Sequence, residues 1–327
     1  MANRNQTLDE KVYSIKDLEQ LWLSQDGEIH QTRPEPNIFA EYYNEGAMDL
    51  ITFASPHKLS QSISHCVNQA YSLHSNSSAY DRFVLRSRTV KFPFGFSPTA
   101  MQTLAHPKGD IATSKACNAS NVLMGLLNYS TIKLEKVILG RENTPHVMQM
   151  SLLKNKAAMV QMIKGAEALF VTLDCPYLGR RLNEFRNRFS VPKGMEFPNL
   201  FPGVDVTNLE YGDERMAYGN TAYGSTHATQ LNGPKLSPFF RQHTNVQIWA
   251  KGIYTSEDNL LAIKHGFNGL IVSNHGGRQL DGVLSSLDIP IAIDGGIRRG
   301  TDISKTLALG ADFCLAGRIA RFRTLRV

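Results

Sequence analysis

Eight short apolar runs, most of them ending at a polar or charged residue, recur between residues 94 and 316 of this chain. They occupy residues 94–96, 122–127, 146–150, 168–173, 246–250, 270–273, 289–293 and 313–316. Runs this short, bounded by turn residues, read as strands buried on both faces, the pattern of a parallel sheet. Most are separated by helix-compatible stretches, such as residues 110–119, 155–166 and 256–265. Strand alternating with helix argues for a parallel α/β fold. Eight such units within about 225 residues fit closure into a (β/α)8 barrel better than an open sheet. In such barrels the functional groups stand at the C-terminal ends of the strands. Here those ends carry Pro98-Thr99-Ala100, Tyr129, Gln149, Thr172 and Asp174, Lys251, His275, Asp294 and Arg318. Any one of them alone reads as a cap or a satisfied surface group. Their joint placement on one rim makes that rim the candidate active site.

The sixth run leads into Ser273-Asn-His-Gly-Gly-Arg-Gln-Leu-Asp281. His275 can move a proton near neutral pH. Arg278 offers a planar fork suited to a carboxylate. Gly276 and Gly277 let backbone approach a flat ligand without a Cβ in the way. The seventh run ends at Asp294 and is followed by Gly295-Gly296-Ile297-Arg298-Arg299. Thr301 or Asp302 is expected to cap a helix over residues 303–309, and the eighth run ends in Gly317-Arg318. Two glycine-rich basic loops one βα unit apart make a cradle of backbone N–H groups for phosphate. In (β/α)8 barrels that cradle commonly follows strands seven and eight.

The length of 327 residues allows one large α/β domain. A net charge of +6 without any Lys/Arg block favours small anionic ligands over nucleic acid. Cys66, Cys117, Cys175 and Cys314 lie far apart with no Cys-x-x-Cys, so a reduced protein without a structural metal is expected. No apolar run approaches the roughly 18 residues needed to span a bilayer. Residues 1–10 are too polar for a signal peptide, and the terminal Thr-Leu-Arg-Val is not a peroxisomal address. The expectation is an intracellular, most simply cytoplasmic, protein that engages no membrane; self-association is left open. Residues 1–40 read as a polar helical and linker segment before a barrel domain over 41–327. Within that domain residues 54–77 read as an unstructured insertion, in which His57, His65, Cys66 and His74 are incidental, and 175–243 as a lid.

Several stretches together resemble the FMN-dependent α-hydroxy acid oxidase/dehydrogenase family, which includes glycolate oxidase and lactate oxidase. They are Glu41-Tyr42-Tyr43-Asn44-Glu45-Gly46-Ala47, Ser97-Pro98-Thr99-Ala100-Met101-Gln102, and Thr172 through Arg181 with its Asp174-Cys175-Pro176-Tyr177. Lys251-Gly252, Ser273 to Asp281, and Asp294 to Asp302 with Gly317-Arg318 complete the set. The resemblance implies a barrel that binds FMN and oxidises a small 2-hydroxy acid, passing electrons to oxygen or another acceptor. It implies that His275 accepts a proton in substrate oxidation and that Asp174 stabilises the resulting imidazolium. Arg278, helped by Arg181 and Tyr42, would hold the substrate carboxylate. Lys251 would lie beside the pyrimidine side of the isoalloxazine and stabilise its reduced, anionic form. Asp294, Gly295, Gly296, Arg298, Gly317 and Arg318 would hold the ribityl phosphate end. Pro98, Thr99, Ala100, Gln149, Thr172 and Ser273 would line the flavin.

The chain departs from the family in places. A second substrate-pocket tyrosine falls at Ser151, a flavin-side serine at Leu127, and Tyr129 stands where many members have tryptophan. Only residues 282–288 separate the Gln-Leu-Asp motif from the seventh run, short for a crossover helix between parallel strands. The chain ends soon after Arg318, so the barrel is expected to be incomplete, its last helix missing and its stability low. The alternative reading is therefore a degenerate or truncated relative that binds FMN weakly or not at all.

Overall fold

The computed structural model describes residues 42, 84–85, 88–90, 92–139, 144–176, 179, 181–186, 189, 191–200, 233–253, 255–280, 292–308 and 311–319. A short antiparallel ribbon, β1 (Val84–Leu85) with β2 (Arg88–Thr89), precedes the barrel. Eight parallel strands then overlap the eight runs expected from the sequence. They are β3 (Phe94–Phe96), β4 (Leu123–Leu127), β5 (His146–Ser151), β6 (Ala168–Thr172), β7 (Gln247–Ile253), β8 (Gly269–Ser273), β9 (Ala292–Asp294) and β10 (Phe313–Ala316). They are hydrogen-bonded in sequence order, and β10 pairs back onto β3, so the sheet is a closed barrel. The expected (β/α)8 architecture is observed. The expectations placed on residues 1–40, 54–77 and 282–288, and on the chain beyond residue 319, lie outside the described residues.

Alternation along each strand divides the core into an inside and an outside. Leu123, Val147, Ala168, Phe170, Ile271, Ala292, Phe313 and Leu315 form one apolar cluster, with Trp249 against it. These are the alternate members that face the barrel axis, and they fill its lower half. Truncating Phe170 to alanine there should cost about 3–5 kcal/mol. The intervening residues, among them Met124, Leu126, Met148, Met150, Leu169, Val171, Ile248, Ala250 and Leu270, join a second cluster under the helices.

The helices are α1 (Gly109–Ser120), α2 (Leu134–Ile138), α3 (Lys156–Lys164), α4 (Leu182–Arg186), α5 (Gly233–His243), α6 (Ser256–Lys264) and α7 (Gly300–Ala308). Local chemistry starts several of them. The Asn155 side chain accepts from the Ala158 N–H at α3, and Thr255 accepts from Asp258 N–H at α6. At α7 the expected start is corrected: the helix begins at Gly300, not 303. Asp302 lies inside its first turn and accepts from the backbone N–H groups of Arg298 (3.0 Å) and Arg299 (2.8 Å). A carboxylate there favours the positive end of the helix. Among the described residues no helix is long and apolar enough to cross a membrane.

Candidate active site

Register decides which side chains meet at the top of the barrel. Gln149 pairs opposite Leu127, Thr172 opposite Ser151 and Lys251, and Asp294 opposite Ser273 and Leu315. The axis-facing series that is apolar below thus turns polar at its last step, in Ser97, Gln149, Thr172, Lys251, Ser273 and Asp294. The polar layer is internally bonded. Lys251 Nζ lies 2.8 Å from Asp294 Oδ2 and donates to Ser273 Oγ at 3.0 Å. Ser273 Oγ donates to Asp294 Oδ2 at 2.9 Å and accepts from the His275 N–H at 3.1 Å, while Ser97 Oγ donates to Asp294 Oδ1. Burial alone would raise the Asp294 carboxyl, but the Lys251 charge and these hydrogen bonds hold it below the ordinary carboxylate range. Burial alone would lower the Lys251 ammonium, and Asp294 and Asp174 outweigh it, so Lys251 is pushed up. The pair is charged.

A bulge sets the next contact. Lys251 pairs with Ile271 and Ile253 with Val272, leaving Gly252 unpaired at φ +91. A Cβ at Gly252 would collide with the Asp174 carboxyl carbon, so glycine there lets Asp174 close against β7. Asp174 lies just past β6 and His275 just past β8; Asp174 Oδ1 and Oδ2 stand 3.1 and 3.2 Å from His275 Nδ1. The carboxylate side chain is 5% exposed and the imidazole 30% exposed. Burial would raise Asp174; the charge and hydrogen bond of His275, and Lys251 nearby, hold it low instead. An ionised carboxylate only accepts, so the proton between them rides on Nδ1 and leaves Nε2 as the acceptor. His275 has φ +55 in a single 3-10 turn, which Asn274 braces by accepting from the Gly276 N–H at 3.0 Å.

The three residues expected to bind a carboxylate do come together. Arg278 Nη1 donates to the Tyr42 carbonyl at 2.6 Å, with its guanidinium 4.9 Å from the Tyr42 ring centroid; Arg181 lies 5.9 Å from the same ring. Tyr42 itself is stacked on Phe189. The sequence reading missed the residue that joins them. Glu184 Oε1 is 2.9 Å from Arg181 Nη1 and 3.5 Å from Arg278 Nη2, one buried carboxylate between two guanidinium groups. Its spacing of three from Arg181 on α4 was the available signal. Gln279 was missed as well: its side chain accepts from the Gly179 N–H (3.1 Å) and donates to the Asp174 carbonyl (3.4 Å). So was Cys175, whose Sγ donates to Asp174 Oδ1 at 3.4 Å and lies 3.3 Å from His275 Nδ1.

The residues expected to line the flavin sit on the same rim. Pro98 packs where Gly125 of β4 has no side chain, and Thr99 Oγ1 donates to the Ser97 carbonyl. Ala100 is buried beside them. Gln149 Nε2 donates to Thr172 Oγ1 at 2.6 Å and to Ser151 Oγ at 3.3 Å. Ser151 thus partners Gln149, and Tyr129 is buried edge-on to Phe197. Gly295 and Gly296 follow β9 with φ +108 and +73, and a Cβ on Gly296 would meet no atom within 4 Å among the described residues. Arg298 stands in the same loop. Gly317 and Arg318 follow β10, and Arg318 Nη1 donates to the Gly276 carbonyl at 3.0 Å. Open glycine backbone flanked by two arginines suits a phosphate monoester, and the polar layer beside it suits a heteroaromatic ring with hydrogen-bonding edges.

Known proteins are similar to this chain in sequence and in fold. Oxidase FUB9 of Fusarium oxysporum f. sp. lycopersici is 35% identical over 347 residues, spanning 95% of this chain and 80% of that protein. 2-Hydroxyacid oxidase 1 of Homo sapiens is 33% identical over 331 residues, spanning 90% of this chain and 83% of its own. Both alignments run longer than the 327-residue chain, so each relative carries segments that this chain lacks. The crystal structure of mandelate oxidase with (S)-4-hydroxymandelic acid has the same fold, with a TM-score of 0.75 at 24% identity over 96% of this chain and 88% of that chain. The pattern described as FMN-dependent dehydrogenase matches residues 33–324, and this chain belongs to that family of FMN-dependent oxidoreductases.

Proposed function

We propose that this chain oxidises a small 2-hydroxy acid to the 2-oxo acid, with His275 as the proton acceptor. The observation that carries the reading is the His275–Asp174 pair, 3.1 Å apart on the rim beside two arginines. Asp174 fixes the proton on Nδ1 and leaves Nε2 of the partly exposed ring as the acceptor. When Nε2 takes the substrate proton, the imidazolium is balanced by a carboxylate already ionised and buried. Arg181 and Arg278 bring two guanidinium groups to one place on the rim, held by the Glu184 carboxylate, a geometry suited to gripping a substrate carboxylate. Tyr42 stacks beneath both guanidinium groups and fixes their plane. FMN, when bound, supplies the two-electron acceptor, and oxygen or another acceptor takes the electrons onward.

Gly295, Gly296, Arg298, Gly317 and Arg318 would hold its phosphate, and Pro98, Thr99, Ala100, Gln149, Thr172 and Ser273 would line its ring and ribityl chain. Lys251, held between Ser273 and Asp294, places a cation at the centre of the rim where negative charge develops. The test is anaerobic mixing of the flavin-loaded protein with a panel of 2-hydroxy acids of increasing bulk. His275→Gln should slow bleaching of the flavin bands by about 10²–10⁴-fold while FMN stays bound. Bleaching at the unaltered rate would move the base elsewhere. A wild-type chain that takes up no FMN would return the degenerate reading to first place.

A further inference from the structure

The thiol of Cys175 is not used by the chemistry above, yet it completes a cluster with the catalytic pair. Cys175 Sγ lies 3.4 Å from Asp174 Oδ1 and 3.3 Å from His275 Nδ1, and that nitrogen lies 3.1 Å from Asp174 Oδ1. One sulfur, one nitrogen and one oxygen therefore form a triangle, and all their ligand atoms fall within 4.8 Å of one another. Zinc bonds of about 2.3 Å to sulfur and about 2.0–2.1 Å to nitrogen and oxygen, at tetrahedral angles, require ligand separations of roughly 3.3–3.6 Å. The triangle matches three corners of such a site to within a few tenths of an ångström. We propose that Asp174, Cys175 and His275 form a binding site for a thiophilic divalent cation, zinc, and that the bound cation switches the active site off. The mixed donor set is wrong for magnesium or calcium, which take oxygen ligands in sixfold or higher coordination.

The site has the parts a metal needs besides its ligands. His275 is the exposed member, so a cation enters from the substrate side and keeps water or an anion as its fourth ligand. Asp174 and Cys175 are held from behind, because Gln279 ties the Asp174 carbonyl to the loop bearing Gly179. The positive charge of Lys251 would oppose a cation, but its ammonium is 2.8 Å from Asp294, which offsets it. Binding displaces the thiol proton to solvent as the sulfur–zinc bond forms. On the imidazole the metal takes the Nδ1 lone pair, so the one ring proton moves to Nε2. A ring protonated at Nε2 can no longer accept a proton from substrate. This consequence rests on His275 being the base; the site itself does not.

The experiment titrates the flavin-loaded full chain with zinc chloride against a chromophoric zinc chelator, and follows anaerobic flavin reduction by a 2-hydroxy acid in the same samples. One equivalent of zinc should bind, stop flavin reduction and be reversed by excess chelator, with magnesium chloride without effect. Cys175→Ser should raise the zinc needed for half-occupancy by at least about tenfold, each variant's rate being compared only with its own zinc-free rate. Zinc occupancy that Cys175→Ser leaves unaltered, or no competition with the chelator, overturns the site and leaves the base assignment intact. Occupancy that depends on Cys175 while flavin reduction continues upholds the site and overturns His275 as the base.

Discussion

The corner of the rim proposed for proton transfer and the end proposed for phosphate are built in opposite ways. In the first, Asp174, Lys251, Ser273, His275 and Asp294 are bonded to one another, each charge facing a partner at about hydrogen-bond distance. In the second, a Cβ on Gly296 would meet no atom within 4 Å among the described residues, and the Asp302 carboxylate bonds the start of α7. Groups that must hold a defined protonation state are fixed before any ligand arrives. Groups that only grip a ligand are left with room to do so. The first arrangement should therefore be coupled more to stability, and the second more to cofactor affinity.

The sharpest break of that contrast is Lys251→Met. It strands the buried Asp294 carboxylate and should cost about 3–5 kcal/mol of stability, read as a lower denaturation midpoint; an unaltered midpoint would mean that Ser97 and Ser273 suffice for Asp294. Gly252→Ala comes next. Its Cβ displaces Asp174 from β7, and a shift of about 1 Å in that carboxylate should slow flavin reduction on the order of 10²-fold, with a smaller loss of stability. Stopped-flow traces matching wild type would dissociate the bulge from the catalytic pair.

On the other side of the comparison, Arg298→Ala should weaken FMN by roughly tenfold or more, the loss of one charge-assisted hydrogen bond. The melting point of the flavin-free protein should fall far less than with Lys251→Met, and fluorescence titration with FMN reads the affinity. The mildest effect is on the pH profile. Asp174 and Asp294 have folded pKa values below their ordinary value of about 3.9. Their contribution to stability is thus present above that pH and lost as pH falls through the folded values. Lys251 is raised above its ordinary value of about 10.4, so its contribution is present below that pH and lost as pH rises through the folded value. Thermal melts should fall at both extremes, and Lys251→Met should reduce but not abolish the alkaline fall, because burial also pushes up the Cys117 and Cys314 thiols, which ionise more readily in the unfolded chain.

The barrel was legible because each strand is an uninterrupted apolar run between turn residues, a property of adjacent positions. The rim was legible for the same reason: His275, Lys251 and Asp294 each stand where a run ends. What escaped were contacts made across the barrel. The meeting of Cys175 with His275 depends on how β6, β7 and β8 are staggered, and the two stand 100 positions apart in the chain. Ser97 could not be joined to Asp294 without knowing that the sheet closes. Glu184 looked like one more charge in an arginine-rich stretch, and only the fold brings Arg278 to it. Gly252 read as part of a motif; its need for a positive φ appears only with the bulge.

The pairing of β10 with β3 sets the order in which a newly made chain can become competent. Cys314 pairs in register with Phe94, two positions separated by nearly the whole barrel, so a chain emerging from the ribosome can pair one edge of β3 with β4 early but carries its other edge bare until β10 is made. At about 5–20 residues per second that interval lasts tens of seconds, with β3 and then β9 presenting bare edges to other nascent chains. Gly317 and Arg318 follow directly on the strand that ends the wait. Closure of the wall also brings the loops after β9 and β10 together, so a ligand bound across both loops would favour the closed barrel by mass action.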